Sequence, residues 1–214
     1  MKIGIIGAGF VGRAIGKLAV RSGHEVMLSN SRGPQSLFSL PQAVGCKIGT
    51  VADAVTFGEI VVVAIPLAAY RSVPVEPLAG KVVIDTDNYY PDRDGHIAEL
   101  DRQEITTSEL LARHLPASKV VKAFNAIFMS DLESDGRSAG SSERRALPLA
   151  GDDIDGKAIA ATLYEAFGFD AVDVGALSEG WRFDRGMPVY CVPMNKSDLE
   201  KSLAAAERPK WCGL

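Results

Sequence analysis

Lys2-Ile3-Gly4-Ile5-Ile6-Gly7-Ala8-Gly9-Phe10-Val11-Gly12 opens the chain as a short apolar run that breaks into a turn fitting G-x-G-x-x-G. A helical pattern follows. Val11, Ala14, Ile15, Leu18 and Ala19 are apolar at i, i+3, i+4, i+7 and i+8, and Arg13, Lys17 and Arg21 take the opposite face. Gly23 stops this helix, and Glu25 to Ser29 (EVMLS) restarts a strand. Alone, G-x-G-x-x-G is a weak signal. Between a strand and a helix, inside a βαβ unit of about thirty residues, it reads as a dinucleotide-binding turn. Gly7 permits the tight exit from the strand, Gly9 lets the backbone approach a pyrophosphate, and Gly12 lets the helix pack on the strand. The helix then offers unpaired N–H groups and a positive dipole end to the phosphates. The expected phosphate-binding segment is therefore Gly7, Gly9, Phe10, Val11 and Gly12.

The end of the second strand selects the dinucleotide. An NAD site places Asp or Glu there, to accept hydrogen bonds from the ribose hydroxyls. Here the residues are Ser29-Asn30-Ser31-Arg32-Gly33, with no carboxylate. An acid would repel a 2′-phosphate, whereas a guanidinium binds it with charge-assisted hydrogen bonds. Ser31 adds a hydroxyl donor, so Ser31 and Arg32 predict NADP(H) over NAD(H).

Further apolar segments extend the pattern. Pro34 suits a first helical position, and Pro41 is expected to break the helix over Gln35 to Gly45 into two pieces. Lys47 to Gly49 is a short strand, and Thr50 caps a helix over Val51 to Phe57, with Asp53 completing a capping box. Ile60 to Ile65 is continuously apolar, as a parallel strand buried on both faces should be. Pro66 ends it. Strands over Lys81 to Asp85 and Lys119 to Ala123 flank a polar loop, Thr86 to Gly95, and a helix, Thr107 to His114. The alternation implies an α/β fold: a doubly wound parallel Rossmann sheet, with ligands at the carboxyl ends of its strands. Ser130 to Arg145 is rich in Ser, Gly, Asp and Arg and lacks periodicity. Strands at Ala146 to Ala150 and Phe169 to Val174 enclose a helix from Ile154 to Phe167, capped by Asp152 or Asp153 and closed by Gly168. A last helix covers Lys196 to Ala206. The expected organisation is an NADP-binding domain over 1–128, a linker loop over 129–145, and a short strand–helix–strand extension over 146–214 packing on the sheet.

Composition narrows the partners. With 47% apolar and 23% charged residues, the chain has the profile of a soluble globular protein. A net charge of −4 without a basic block gives no support to a nucleic-acid role. No apolar segment reaches the ~18 residues of a membrane span, and the N-terminal apolar run is too short for a signal peptide. Cys46, Cys191 and Cys212 form no C-x-x-C, so they read as free thiols of a cytoplasmic protein. His24, His96 and His114 are isolated and read as surface residues, and Asp152 and Asp153 as a capping pair with no metal site.

Several segments together resemble the NADP oxidoreductases that use the 5-deazaflavin coenzyme F-420. They are the Gly7 to Gly12 turn, Ser31-Arg32, Ile65-Pro66, Lys122 to Ile127 (KAFNAI), Ala150 to Asp153 (AGDD) and Gly168 to Asp173 (GFDAVD), in that order over nearly the whole chain. The reductase domain of the six-transmembrane ferric reductases, which uses NADPH with a flavin, is similar too. The resemblance implies hydride transfer between NADPH and a deazaflavin or flavin, a reaction in which the chemistry belongs to the cofactors and the protein supplies orientation. No catalytic side chain is then required. It also implies that Ile65 and Pro66 shape the wall near the nicotinamide ribose, that Ala123 to Asn125 lie beside the ring, and that Asn125 hydrogen-bonds the carboxamide or satisfies a local turn. Asn88 faces the nicotinamide or builds its loop. The chain departs from the family in Thr86 to Gly95, where Asn88-Tyr89-Tyr90-Pro91 replaces a shorter apolar loop. Tyr89 and Tyr90 should point to opposite sides. Trp181-Arg182-Phe183 contributes to an acceptor pocket or a dimer face, with Arg182 toward an acidic tail or in a surface salt bridge. A homodimer follows by resemblance, although no interface stripe marks it. The competing readings are a non-catalytic NADPH-binding redox sensor and a reductase of a small imine, carbonyl or ferric substrate. The imine case is disfavoured by the lack of a helical C-terminal dimerisation domain.

Arg32→Ala is expected to raise KM for NADPH far more than KM for NADH, measured as steady-state kinetics with both donors. Equal effects would remove the basis for the NADP assignment.

Overall fold

Strands that are apolar on every residue need cover on both faces, and the chain supplies it. The structure, a computed structural model, describes residues 1–208. Its strands are β1 (Lys2–Ile6), β2 (Glu25–Ser29), β3 (Lys47–Gly49), β4 (Ile60–Val63), β5 (Val82–Asp85), β6 (Lys119–Lys122), β7 (Ala146–Gly151) and β8 (Asp170–Asp173). The helices are α1 (Phe10–Arg21), α2 (Leu40–Val44), α3 (Val51–Phe57), α4 (Pro91–Asp94), α5 (Ala98–Asp101), α6 (Thr107–His114), α7 (Met129–Ser134), α8 (Ile154–Phe167) and α9 (Lys196–Ala204). The sheet order is β3-β2-β1-β4-β5-β6-β7-β8. Every residue of β4 and β5 is buried. Alternate strand residues divide between two cores: Ile3, Ile5, Val62, Ile84 and Val121 pack with α1 and α8, and Ile6, Val61, Val63, Val83 and Val120 with α3 and α6.

β1 to β6 are parallel throughout, in the doubly wound order expected. The extension differs. β7 runs antiparallel to β6 through a short ladder, Val121 to Gly151 and Lys122 to Ala150, and β8 runs parallel to β7. The segment between β6 and β7 is the reason. It makes no crossover; α7 packs on α1, and the chain returns at the sheet end where β6 finished. Residues 129–145, read as a loop, thus hold a helix and two buried arginines. Arg145 pairs with Asp131 at 3.2 Å and Asp135 at 3.0 Å, and Arg144 with Glu165 at 2.7 Å.

Local signals position the remaining elements. Thr50 and Asp53 form both halves of the capping box on α3. Asp153 caps α8 by accepting from Gly156 N–H, and Gly168 closes it in left-handed backbone. Pro41 opens α2, following a separate 3-10 turn at Pro34–Leu37. Pro91 likewise starts α4 within the stretch read as loop, since proline fits a first helical turn. Cys46 and Cys191 are buried free thiols, and Cys212 lies outside the described residues. Among the described residues, no helix is long and apolar enough to cross a membrane.

Gly7 and Gly12 are sites of close backbone approach. A Cβ on Gly12 would lie 1.9 Å from the Gly7 carbonyl oxygen, and one on Gly7, which has φ +112°, would lie 2.0 Å from the Ala64 carbonyl oxygen. Gly9 has nothing within 4 Å of its Cβ position. Gly12→Ala should therefore destabilise the fold by about 1–3 kcal/mol. Gly9→Ala should cost no more than about 1 kcal/mol, the loss of a favourable cap. Thermal unfolding of the two variants checks the order.

Candidate dinucleotide site and the polar network behind it

The glycine turn is built as a cradle. Gly7 N–H donates to the Ser29 carbonyl at 3.0 Å, joining the turn to the end of β2. The Ser29 hydroxyl, fully buried, donates to the Ile5 carbonyl at 2.8 Å, and Arg13 Nε donates to the Ala8 carbonyl at 2.8 Å. Gly9 is extended and exposed, and its carbonyl accepts the first helical bond from Arg13 N–H. The N–H groups at the start of α1 have no acceptor within the helix. With open space at Gly9 and the helix dipole behind it, this turn fits a pyrophosphate. Phe10 projects into solvent beside it.

Asn30 organises the adjoining loop. Its Oδ1 accepts from Arg32 N–H at 3.1 Å, and its Nδ2 donates to Ser36 Oγ at 2.8 Å. Ser31 and Arg32 are left exposed at the carboxyl end of β2. Among the described residues Arg32 makes no ion pair. A fixed backbone carrying a hydroxyl and an unpaired guanidinium suits a 2′-phosphate.

The far wall comes from the ends of β4, β5 and β6. Ile65 and Pro66 follow β4 and are half-buried and exposed respectively. Ile65 N–H donates to Asp87 Oδ1 at 3.1 Å, so the loop after β5 holds the loop after β4. Asn88 Nδ2 donates to the Asn125 carbonyl at 3.0 Å, and Asn125 Nδ2 donates to Asn88 Oδ1 at 3.3 Å and to the Phe183 carbonyl at 3.1 Å. The structure thus brings Asn88 and Asn125 together and engages the Asn125 amino group locally. Asn125 Oδ1, buried, has no partner among the described residues. Between Ala123 and Asn125, Phe124 adopts left-handed backbone with φ +62°. Its N–H donates to the Tyr164 hydroxyl at 2.7 Å, which itself donates to the Pro148 carbonyl at 2.9 Å. Nothing in the KAFNAI stretch signals this conformation. A bulky residue held there is a strained backbone of the kind found at functional sites.

Behind this wall lies a polar network that sequence reading missed. Lys122, the last residue of β6, is fully buried. Its ammonium donates to Thr107 Oγ1 at 2.9 Å and pairs with Asp184. Asp85, beside Lys122 on β5, accepts from Ser108 Oγ at 2.6 Å and from Asp87 N–H at 3.0 Å. Asp87 is 3% exposed, and its Oδ2 has no partner among the described residues. Burial holds its carboxyl well above the usual carboxylate range, and the charge of Asp85 pushes it further in the same direction. One sequence signal existed: Asp85 and Lys122 each end a buried apolar strand, where a charge needs a partner.

The other candidates fall into structural roles. Tyr89 and Tyr90 point to opposite sides. The Tyr89 hydroxyl donates to Asp101 at 2.7 Å, and Tyr90 meets the Tyr190 hydroxyl at 2.7 Å. Arg182 pairs with Glu179 at 2.7 Å and caps the Leu203 and Ala206 carbonyls near the end of α9, which places it in a surface salt bridge. His114 bonds the Val73 carbonyl at 2.8 Å, His96 meets Asp101 at 3.1 Å, and His24 lies beside the N-terminal amine. Asp152 accepts from Leu177 N–H. Among the described residues, no group of three His, Cys, Asp or Glu side chains is placed to hold a metal.

Residues 2–89 match the model of the family described as NADP oxidoreductase, coenzyme F420-dependent. A curated relative, the metalloreductase STEAP3 of Rattus norvegicus, is 29% identical over 194 residues, which cover 90% of this chain and 37% of that protein. The chain therefore spans a little over a third of that relative. Among solved structures, a hypothetical protein of Sinorhizobium meliloti superposes with a TM-score of 0.80 at 28% identity, covering 92% of this chain and 95% of the other. A protein of Arthrobacter sp. FB24 described as an F420-dependent NADP reductase superposes with a TM-score of 0.73 at 27% identity, covering 84% and 87%. The resemblance read from the sequence and the doubly wound fold are both borne out.

Asp87 yields a signed test. Its folded pKa lies above its unfolded value, so the native state binds the extra proton. Its contribution to stability is complete below the unfolded pKa of about 4 and is lost as pH rises through the folded value. Asp87→Asn keeps the acceptor for Ile65 N–H and removes the titration. The variant should gain stability relative to the parent as pH goes from 5 to 8, read by chemical denaturation at both. A difference that is flat or falls with pH would show Asp87 ionised in the native state.

Proposed function

The family that residues 2–89 match is one of NADP-dependent oxidoreductases, and we propose that this chain carries hydride between NADPH and a flat-ring acceptor, the deazaflavin F-420 or a flavin. The observation that carries the reading is Arg32, exposed and, among the described residues, without an ion pair at the end of β2 beside an open glycine turn, where an NAD site would hold a carboxylate.

In this reading Gly7 shapes the turn, its N–H engaged by the Ser29 carbonyl, and Gly9, Phe10, Val11 and Gly12 hold the pyrophosphate through backbone N–H groups at the start of α1. Ser31 and Arg32 hold the 2′-phosphate. Ile65 and Pro66 wall the ribose, and Ala123, Asn88 and Asn125 flank the nicotinamide. The unpartnered Asn125 Oδ1 is the acceptor available to the carboxamide. Bound NADPH supplies a hydride from C4 of its nicotinamide. The protein's part is to hold two rings in register and keep water out, which needs neither a nucleophile nor a proton relay. The paired amides suit that task, because each fixes the other's orientation before any ligand arrives.

The test is NADPH oxidation at 340 nm, with coenzyme F-420, riboflavin phosphate and a ferric chelate offered in parallel. Turnover with the deazaflavin or the flavin is expected. Turnover with ferric ion alone would move the chain toward metal reduction, as the name of its STEAP3 relative describes. NADPH binding with no turnover on any acceptor would overturn the enzyme reading in favour of a sensor.

A further inference from the structure

A cavity of about 180 Å³ opens beside the Lys122 network, between the loop after β5, the α5–α6 region and the segment following the 3-10 turn Leu177–Phe183. Its inner wall is apolar and buried: Leu100, Ile105 and Met187. The ring of Tyr89 lines one side and that of Trp181 another. Polar features complete it. Gln103 lines the cavity in left-handed backbone, with φ +56°, and its side-chain oxygen is buried with no partner among the described residues. Arg185 and Arg208 stand exposed at the cavity, and among the described residues neither makes an ion pair. Asp184 is the one carboxylate in the lining, and buried Lys122 matches its charge.

We propose that this cavity binds a ring-sized organic anion, one aromatic or heteroaromatic ring bearing a carboxylate. Volume sets the ring count, since an apolar cavity of about 150 Å³ suffices for benzene. A tricyclic flavin or deazaflavin does not fit inside. Charge sets the substituent: with Asp184 matched by Lys122, the two arginines leave the cavity cationic, and a carboxylate there gains two charge-assisted donors. The apolar inner wall takes the ring, and Gln103 Oε1 can accept from a ring donor where the ring carries one, which the binding of benzoate does not require. The assignment is independent of which acceptor takes the hydride. Such an occupant would rest against Thr107 and Asp184, the two residues that hold the Lys122 ammonium.

Calorimetric titration of the purified chain with benzoate, and separately with neutral benzamide, tests the site. Saturable benzoate binding is expected, with benzamide weaker by at least about tenfold, the scale of a lost charged hydrogen bond. The double variant Arg185→Gln/Arg208→Gln should weaken benzoate to the level of benzamide. Met187→Trp, which fills the cavity, should abolish binding of both while the chain keeps its cooperative unfolding. Absence of saturable benzoate heat, equal affinity for benzamide, or unchanged binding to the folded Met187→Trp variant would each overturn the proposal.

Discussion

The fold depends on how closely β1 and its exit turn are approached by their neighbours. A Cβ on Gly4 would meet the Ala54 carbonyl of α3 at 2.1 Å on one side of the strand, while α1 closes on Gly7 through Gly12. No side chain fits at these contacts, so two helices and β4 are drawn against the strand at backbone distance. That approach places the start of α1, the end of β2 and the end of β4 around one point. The parallel order then delivers the ends of β5 and β6 to the same end of the sheet. Close contact at the centre is what makes the rim a concave site.

A second constraint lies beneath the rim. A fully buried ammonium is costly unless matched, and Lys122 is matched by Asp184, Thr107 and the neighbouring Asp85. The match reaches across three separate parts of the chain. Gly180 makes it possible, because a Cβ there would lie 2.9 Å from Lys122 Cδ. Phe183, between Gly180 and Asp184, gives its carbonyl to Asn125. The charge pair and the amide pair are therefore parts of one support, joined through a single short 3-10 turn.

What could be read from the sequence followed the range of each interaction. The α8 limits, the Thr50–Asp53 capping box and the Gly168 stop were legible because each depends on residues within one or two turns. The parallel strands were legible because burial on both faces leaves a continuous apolar run. The glycine turn between β1 and α1 was legible for the same reason: its geometry is local. The reversal at β7 was not, since it depends on α7 folding back onto α1. Arg144 and Arg145 end a Ser- and Gly-rich stretch read as a linker, yet both are buried and paired with acids on α7, at its end and on α8. The left-handed setting of Phe124 is fixed by the Tyr164 hydroxyl forty residues on. The mutual hydrogen bonding of Asn88 and Asn125, thirty-seven residues apart, was not legible either.

The Tyr164 hydroxyl has a wider consequence. It lies on α8, donates to β7 and receives from the peptide that turns Phe124 toward Asn125. The portion of the chain up to β6 thus does not own its own floor. Residues beyond 146 set the backbone angle of a residue at 124, so the two portions are not interchangeable cassettes. A tail transplanted from a relative would carry with it a different tilt of the loop after β6. Divergence in the last third of the chain is therefore a route to a new geometry of that loop that leaves the glycine turn before α1 untouched.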